Sequence, residues 1–238
     1  MNPRKNKKDE GINLSEWKPK TNLGKMVKNG EITNIDQILN KGLRIYESEI
    51  VDVLLPDIET ELLMIGQSRG KFGGGKRSIW RNTQKISKEG SKMSFATMAV
   101  VGNKNGYIGL GFGKGKETMP AREKAIKQAK LNLIKIRRGD GSWAPGGEAN
   151  HSIPFTVEGK SGSLKIKLMP APQGSSLVVP SECQKMLKLA GIKNAYSKTI
   201  GQTGTRVNLV KACFKALKKL SQIKVRQVDK EKVVEGEK

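Results

Sequence analysis

The run GYIGLGFGKGKE, Gly106 to Glu117, has the residue types that let a backbone come close to a charged group. Gly106, Gly109, Gly111, Gly113 and Gly115 remove side chains, while Lys114 and Lys116 bring positive charge to the same place. A helix starting near Thr118–Pro120 would aim its free N–H groups there as well. Together these features suit binding of an RNA phosphate backbone. The alternative is a flat Gly-rich strand packed closely on a neighbour. The lysines tip the reading toward phosphate.

A second candidate is GQSRGKFGGGKRSIWRN, Gly66 to Asn82. It holds five cations (Arg69, Lys71, Lys76, Arg77 and Arg81) and no acid, with Phe72 and Trp80 interleaved. Aromatic rings stack on unpaired bases, so a loop that orders on RNA is expected. Gly70 to Lys76 matches a phosphate-binding P-loop until the next residue, Arg77. A Ser or Thr is needed there to hold magnesium. No apolar strand ending in Asp follows to supply a second metal ligand, so nucleotide hydrolysis is disfavoured. A third segment, ISKEGSKMSF (Ile86–Phe95), places Lys88 and Lys92 around Gly90 ahead of a strand. Taken alone it reads equally well as a solvated turn.

Other chemistries have few residues to draw on. One His (His151) and two Cys (Cys183, Cys213) cannot assemble a His/Cys zinc cluster, and no metal or cofactor is expected. His151 has no nearby Ser/Asp pair and reads as structural or solvent-facing. The cysteines fall on expected helices and read as buried small hydrophobes. Trp143 reads as packing between domains. The 238 residues carry 45 Lys+Arg against 22 Asp+Glu, a net +23 with an isoelectric point near 10.0. Such a surplus repels itself until a polyanion neutralises it, and nucleic acid is the leading partner. No apolar run is long enough to span a membrane, and MNPRKNKKDE lacks the apolar stretch of a secretory signal.

Charge also divides the chain. Residues 83–138 and 150–222 each carry a net +10, whereas residues 31–61 carry two bases and eight acids. RNA would repel that acidic block, so it is expected to face solvent or a basic protein. The segment GDGSWAPGGEAN (Gly139–Asn150) breaks any periodicity and reads as a linker. Five regions follow: a basic N-terminal extension (1–30), a first domain (31–138) with a basic loop at 66–82, the linker (139–150), a second domain (151–222) and a charged tail (223–238).

The elements that must position these residues can be outlined. Ile35–Leu39 and Glu49–Leu55 read as short helices ended by Gly42 and Pro56. Met93–Val101 and Tyr107–Phe112 read as strands joined at Asn105–Gly106, the signature of a type I′ hairpin with φ > 0 at both residues. Pro120 suits the first turn of a helix running to about Ile136, its packed stripe marked by Ala121, Ala125, Ala129 and Leu133. Beyond the linker, Ile153–Val157 and Leu164–Leu168 read as strands around GKSG. A helix follows from Ser181, with Ser181 and Gln184 as a capping box and Gly191 as its stop. A strand near Asn194–Ile200 and a helix over Thr205–Leu220 complete the pattern.

Several spaced motifs resemble the small-subunit ribosomal protein S-five family, of the archaeal and eukaryotic type. They run from Gln84–Lys85 through Gly90, Phe95, Val100–Asn103, Asn105–Gly106, Gly109 and Gly111 to Ala121-Arg122-x-Lys124-Ala125. AKLNLIKIRRG (129–139), HSIPFTVEGKSGS (151–163), LMPAPQG (168–174), LKLAGIKNAYSKTIG (187–201) and NLVKACFKAL (208–217) continue in order, and EWKPKTNLGKMVKNGEI (16–32) resembles the family's N-terminal extension. The resemblance implies an α+β protein of two domains. The first is a double-stranded-RNA-binding-like α-β-β-β-α domain, and the second a βα domain with a left-handed β-α-β crossover. It further implies a non-enzymatic constituent of the small ribosomal subunit, cytoplasmic, bridging body and head near the channel where messenger RNA enters and contributing to decoding accuracy. By the match ribosomal RNA would meet Lys88, Lys92, Lys114, Lys116 and Arg122; Lys85, Lys104 and the cations of the 66–82 loop, a segment that looks inserted relative to the family, are added on charge alone. Gly174, Ser175, Ser176 and Gln184 would face the fourth small-subunit protein, with the eighth also a neighbour. Two rival functions are a stand-alone RNA-binding protein or chaperone and, more remotely, a nucleotide-binding enzyme.

Overall fold

The structure is a computed structural model, and it describes residues 17–68, 70, 75, 77–139 and 150–222. Two α+β domains lie on either side of the segment 140–149. The first contains α1 (Asn22–Lys28), α2 (Ile35–Asn40), α3 (Ser48–Leu54), β1 (Glu59–Leu63), β2 (Arg81–Ser87), β3 (Gly90–Gly102), β4 (Tyr107–Gly115), α4 (Thr118–Leu131) and β5 (Leu133–Lys135). Within it, α3, β1, β3, β4 and α4 follow the expected α-β-β-β-α order. The second contains β6 (Val157–Ser161), β7 (Leu164–Met169), β8 (Leu177–Val178), α5 (Ser181–Leu189), β9 (Ala195–Ile200) and α6 (Arg206–Leu220). Its sheet order is β6-β7-β9-β8, and α5 crosses between the parallel pair β8 and β9.

Strand β3 is long because it serves two partners on one edge. Its first half pairs with β2, from Ser87↔Gly90 to Arg81↔Ala96, and its second half pairs with β1. β4 lies along the other edge from Phe95 to Gly102. Residues 90–94 therefore have β2 alone beside them, and the β2–β3 hairpin projects past the rest of the sheet. Alternation divides the sheet's faces. Ala99 and Val101 pack with Ala125 and Ala129 of α4, whereas Met98, Val100, Ile108 and Leu110 join a core shared with α5 and α6. The first sheet is thus covered by its own helix on one face and by the second domain on the other.

The glycines of β4 belong to the α4 face. A Cβ on Gly109 would sit 2.2 Å from the Ala129 carbonyl oxygen, one on Gly111 2.0 Å from that of Ala125, and one on Gly113 2.1 Å from that of Ala121. Two strand residues advance about 6.7 Å and four helical residues about 6 Å, so glycines at every second strand position meet alanines at every fourth helix position. This corrects the phosphate reading of the run. Its missing side chains let α4 approach the sheet, which was the alternative.

Other expectations need adjusting. Positive φ falls on Lys104 (58°) and Gly106 (89°), so the β3–β4 connection is a four-residue loop rather than a type I′ turn. The Asn103 side-chain oxygen accepts from the Asn105 and Tyr107 amides and shapes it. Helix α4 ends at Leu131 rather than Ile136, because Leu133–Lys135 pair with Tyr107–Gly109 as β5. The strand expected from Ile153 begins at Val157, since Pro154 has no amide to give a ladder. Its turn moves to Gly162–Ser163, with Gly162 at φ 64°. No side-chain cap forms at α5, and the Gln184 amide nitrogen Nε2 instead donates to the Leu177 carbonyl at 2.8 Å. The stops at Gly42 and Gly191 stand, both in the left-handed region. Helix α1, capped by the Thr21 hydroxyl accepting from the Gly24 amide, was not anticipated.

Candidate nucleic-acid interface

Register places Arg81, Ala96 and Lys114 in one row across β2, β3 and β4. Residues paired across strands share a face. Toward the tip, the next rows on that face are Thr83–Ser94 and Lys85–Lys92, with Lys88 in the turn. Arg81, Lys85, Lys92 and Lys114 are all exposed, on the same face of the sheet that carries the second domain further along. Lys85 stands directly opposite Lys92, an arrangement that costs stability in the free protein. Among the described residues the one acid paired with these four cations is Glu89, 2.6 Å from the Lys92 ammonium, and such an exposed pair contributes little. On the reverse side Ile86 is 83% and Met93 51% exposed, so no core of its own holds the hairpin. A polyanion laid along the cationic face would relieve the repulsion and fix the hairpin.

The other candidate cations are placed differently. Lys116 and Arg122 are exposed where β4 leads into α4, at the hairpin end of the sheet. Arg77 is half-buried, donates to the Gly66 carbonyl at 3.3 Å and bridges Ser68 through its backbone. It holds the base of the 66–78 excursion closed. Lys104 sits in the seam between the domains. Its ammonium pairs with Glu59, and its amide donates to the Leu189 carbonyl at 2.8 Å. Arg69, Lys71, Phe72 and Lys76 lie outside the described residues, as does Trp143.

Within the acidic block Glu31, Asp57, Glu59 and Glu61 are exposed as expected, while other acids turn to bases of this same chain. Asp36 accepts from the Tyr107 hydroxyl at 2.6 Å and pairs with Lys135 at 2.5 Å, while Asp52 pairs with Lys130 at 2.6 Å. These acids offset the cations at the far end of α4 and on β5, leaving the positive surplus at the hairpin end. Glu47 ties down the N-terminal segment, accepting from the Trp17 indole at 3.1 Å and from the Lys20 and Thr21 amides at 2.9 and 2.6 Å. Burial pushes its carboxyl up, but the hydrogen bonds from Thr21, Lys20 and Trp17 outweigh that and hold it below the ordinary glutamate value.

The remaining candidates cluster around α5. Gly174 has φ 89° and Ser176 φ 57°, and the Ser176 amide donates to the Asn194 side-chain oxygen at 2.9 Å. Ser175 donates its hydroxyl to the Pro172 carbonyl at 2.8 Å. Ser176 and Gln184 line a cleft of about 900 Å³ between the domains, with Lys104, Arg138, Lys188 and Lys193. The carbonyls left free at the end of α5 are satisfied from the first domain, by Lys104 on Leu189 and by Gly106 on Ala190 at 3.1 Å. Glu182, 4% exposed, accepts from the Met64 amide at 2.8 Å and ties α5 to the first sheet. Sequence reading missed Glu182. Its signal was that it is one of only two acids among the 12 bases of residues 150–222. His151 is 2% exposed and its Nδ1 lies 3.0 Å from the Asn194 amide nitrogen, a structural position. Cys183 and Cys213 are fully buried; the neighbouring Cys183 thiol, with burial, pushes the Cys213 thiol well up. Among the described residues no group of three His, Cys, Asp or Glu could hold a metal, and no helix is long and apolar enough to cross a membrane.

Comparison with known proteins agrees with the two-domain fold. Residues 79–137 match the family model for the N-terminal domain of ribosomal protein S5, and residues 159–232 match that for its C-terminal domain. Three archaeal proteins, each named small ribosomal subunit protein uS5, align over nearly the whole chain. That of Nanoarchaeum equitans is 49% identical over 90% of this chain and 92% of its own. That of Methanobrevibacter smithii is 47% identical over 93% and 97%, and that of Methanocaldococcus jannaschii 45% over 94% and 98%. With both domain models matched in order and identity near one half across more than nine-tenths of each relative, the chain belongs to the ribosomal protein S5 family.

Proposed function

We propose that this chain is a structural, non-enzymatic constituent of the small ribosomal subunit in the cytoplasm, held there by ribosomal RNA laid along the β2–β3 hairpin. The observation that carries the reading is the Lys85–Lys92 pair on a projecting, coreless hairpin, with Arg81 and Lys114 in the next rows of the same face. Each lysine or arginine that meets a phosphate releases counterions, and A-form RNA is held by shape and backbone contacts of this kind. Lys88, Lys116 and Arg122 extend the contact around the sheet end, and the cations of the 66–82 segment, Arg69, Lys71, Lys76 and Arg77, add charge by sequence, Arg77 beside its bond to the Gly66 carbonyl. Lys104 adds its charge at the seam.

The hairpin side reaches RNA between body and head, near the channel where messenger RNA enters, and from there the protein influences decoding accuracy. Gly174, Ser175, Ser176 and Gln184 face the fourth small-subunit protein, and the eighth is a further neighbour. The rivals have less support. A nucleotide-hydrolysing site would need a magnesium ligand where Arg77 stands, and a cationic guanidinium, a donor only, cannot supply one. A free RNA chaperone has no use for a second domain fixed to the first through Glu182, Lys104 and Gly106. Sucrose-gradient sedimentation of cell extract at moderate salt tests the reading. The chain should travel with small subunits, and its recovery only at the top of the gradient would defeat the assignment.

A further inference from the structure

The second sheet has two unlike faces. On one, Gly159 and the apolar residues of β6 and β7 pack against α6, where a Cβ on Gly159 would sit 2.0 Å from the Ala212 carbonyl oxygen. On the other, register builds three rows: Lys160–Lys165–Ile200, Glu158–Lys167–Lys198 and Met169–Tyr196–Val178. Tyr196, Val178 and Ile200 are 37%, 54% and 57% exposed, and Lys160, Lys165 and Lys198 are exposed as well. Two of these rows set lysines directly opposite each other, Lys160 to Lys165 and Lys167 to Lys198. Glu158 answers only one of them, 3.5 Å from Lys167. Facing like charges on a sheet are destabilising, and the hairpin interface uses the same arrangement at Lys85 and Lys92.

We infer that this open face is a second RNA-binding surface, on which an unpaired base stacks on Tyr196 while Lys160, Lys165, Lys167 and Lys198 hold the adjoining phosphates. An exposed aromatic ring two residues from a lysine on the same face of a strand is the combination that takes a base and its backbone together. The four lysines against one acid name a polyanion over an apolar or basic protein surface. The inference rests on the proposed ribosomal role and places a second contact in the other domain, so that one RNA scaffold would clamp both.

The test uses the full chain and purified small-subunit ribosomal RNA, measuring affinity across a salt series. Lys165→Gln with Lys198→Gln should lower the slope of log K against log salt by roughly 1.4–1.8, at ~0.7–0.9 per lost contact. Tyr196→Ala should weaken binding about tenfold with an unchanged slope, and Tyr196→Phe should bind like the parent. Should Tyr196→Ala melt early, the exposed lysine pair still decides. An unaltered slope and affinity in the lysine variant, while Lys85→Gln with Lys92→Gln still lowers the slope, would overturn this inference alone. A parent chain that does not bind the RNA would instead overturn the ribosomal reading. Loss of a neighbouring protein from assembled subunits with the RNA slope intact would make the face a protein contact, and would also overturn the inference.

Discussion

Replacing Gly111 by Ala separates the two uses that the glycine run could serve. The new Cβ would lie 2.0 Å from the Ala125 carbonyl oxygen and 2.3 Å from the Ala129 amide nitrogen, where ordinary contact begins at about 3.4 Å. Both obstacles are helix backbone, so no side chain can rotate away, and α4 must retreat by about 1.4 Å along that line. That retreat also opens the contacts of Gly109 with Ala129 and Gly113 with Ala121. Overpacking a well-filled interior costs ~1–3 kcal/mol, and an obstruction by backbone belongs at the upper end. At ~2–4 °C per kcal/mol for a chain of this size, the melting temperature should fall by about 6–12 °C. Thermal unfolding followed by circular dichroism reads this directly. Gly204→Ala is the control, because nothing approaches its Cβ closer than 3.6 Å. It should stay within ~0.5 kcal/mol of the parent. If Gly111→Ala melts with the parent and loses RNA affinity instead, the run is a phosphate cradle and the packing argument is wrong.

Further outcomes follow from the same geometry. Lys114→Ala with Lys116→Ala should reduce the salt slope of RNA binding by roughly 1.4–1.8, at ~0.7–0.9 per lost phosphate contact, without moving the melting temperature. An unchanged slope would take both residues off the RNA. Removing the Glu182 carboxylate by Glu182→Ala strands the Met64 amide at the domain seam and should cost about 1.5–3 kcal/mol. Urea unfolding that matches the parent would show that this tie contributes nothing. The depressed Glu47 carboxyl stabilises the N-terminal segment above its unfolded titration range, and that contribution is lost as pH falls through the folded value. Trp17 fluorescence should therefore report loosening of this segment under acid, and Glu47→Gln should remove that acid step. A Trp17 signal equally pH-dependent in the variant would assign the titration elsewhere.

Much of the fold could be read from residue spacing, and the failures have identifiable causes. The alanines at 121, 125 and 129 and the glycines at 109, 111 and 113 were both visible as stripes. Their meaning was not, because a four-residue helix repeat and a two-residue strand repeat coincide in space only once the two elements are packed together. Strand β2 was hidden because all but its last residue are exposed, so Arg81–Ser87 has no apolar alternation to betray it. Strand β5 was read as helix because its three residues directly follow α4 and owe their state to the open edge of β4. The acidic block was legible as charge, but its partners Lys130 and Lys135 lie 78 and 99 residues away. For the candidate site, residue types named the chemistry. Only the register of β2, β3 and β4 brings Arg81, Lys85, Lys92 and Lys114 onto one face while setting Arg77 and Lys104 into structural contacts. The lysines of β6, β7 and β9 went unremarked, since their alternation reads first as half-buried strands.

The account turns on whether the cationic hairpin face meets RNA in the particle. Acylating surface amines on intact small subunits and on the free chain, then comparing modification at Lys85 and Lys92 by mass spectrometry, measures this directly. The account predicts that both lysines react freely in the isolated protein and are strongly protected in the subunit, with protection lost after ribonuclease digestion. Equal reactivity in the two states would mean that the facing lysines stay in water, contradicting the proposal that RNA holds this protein in place.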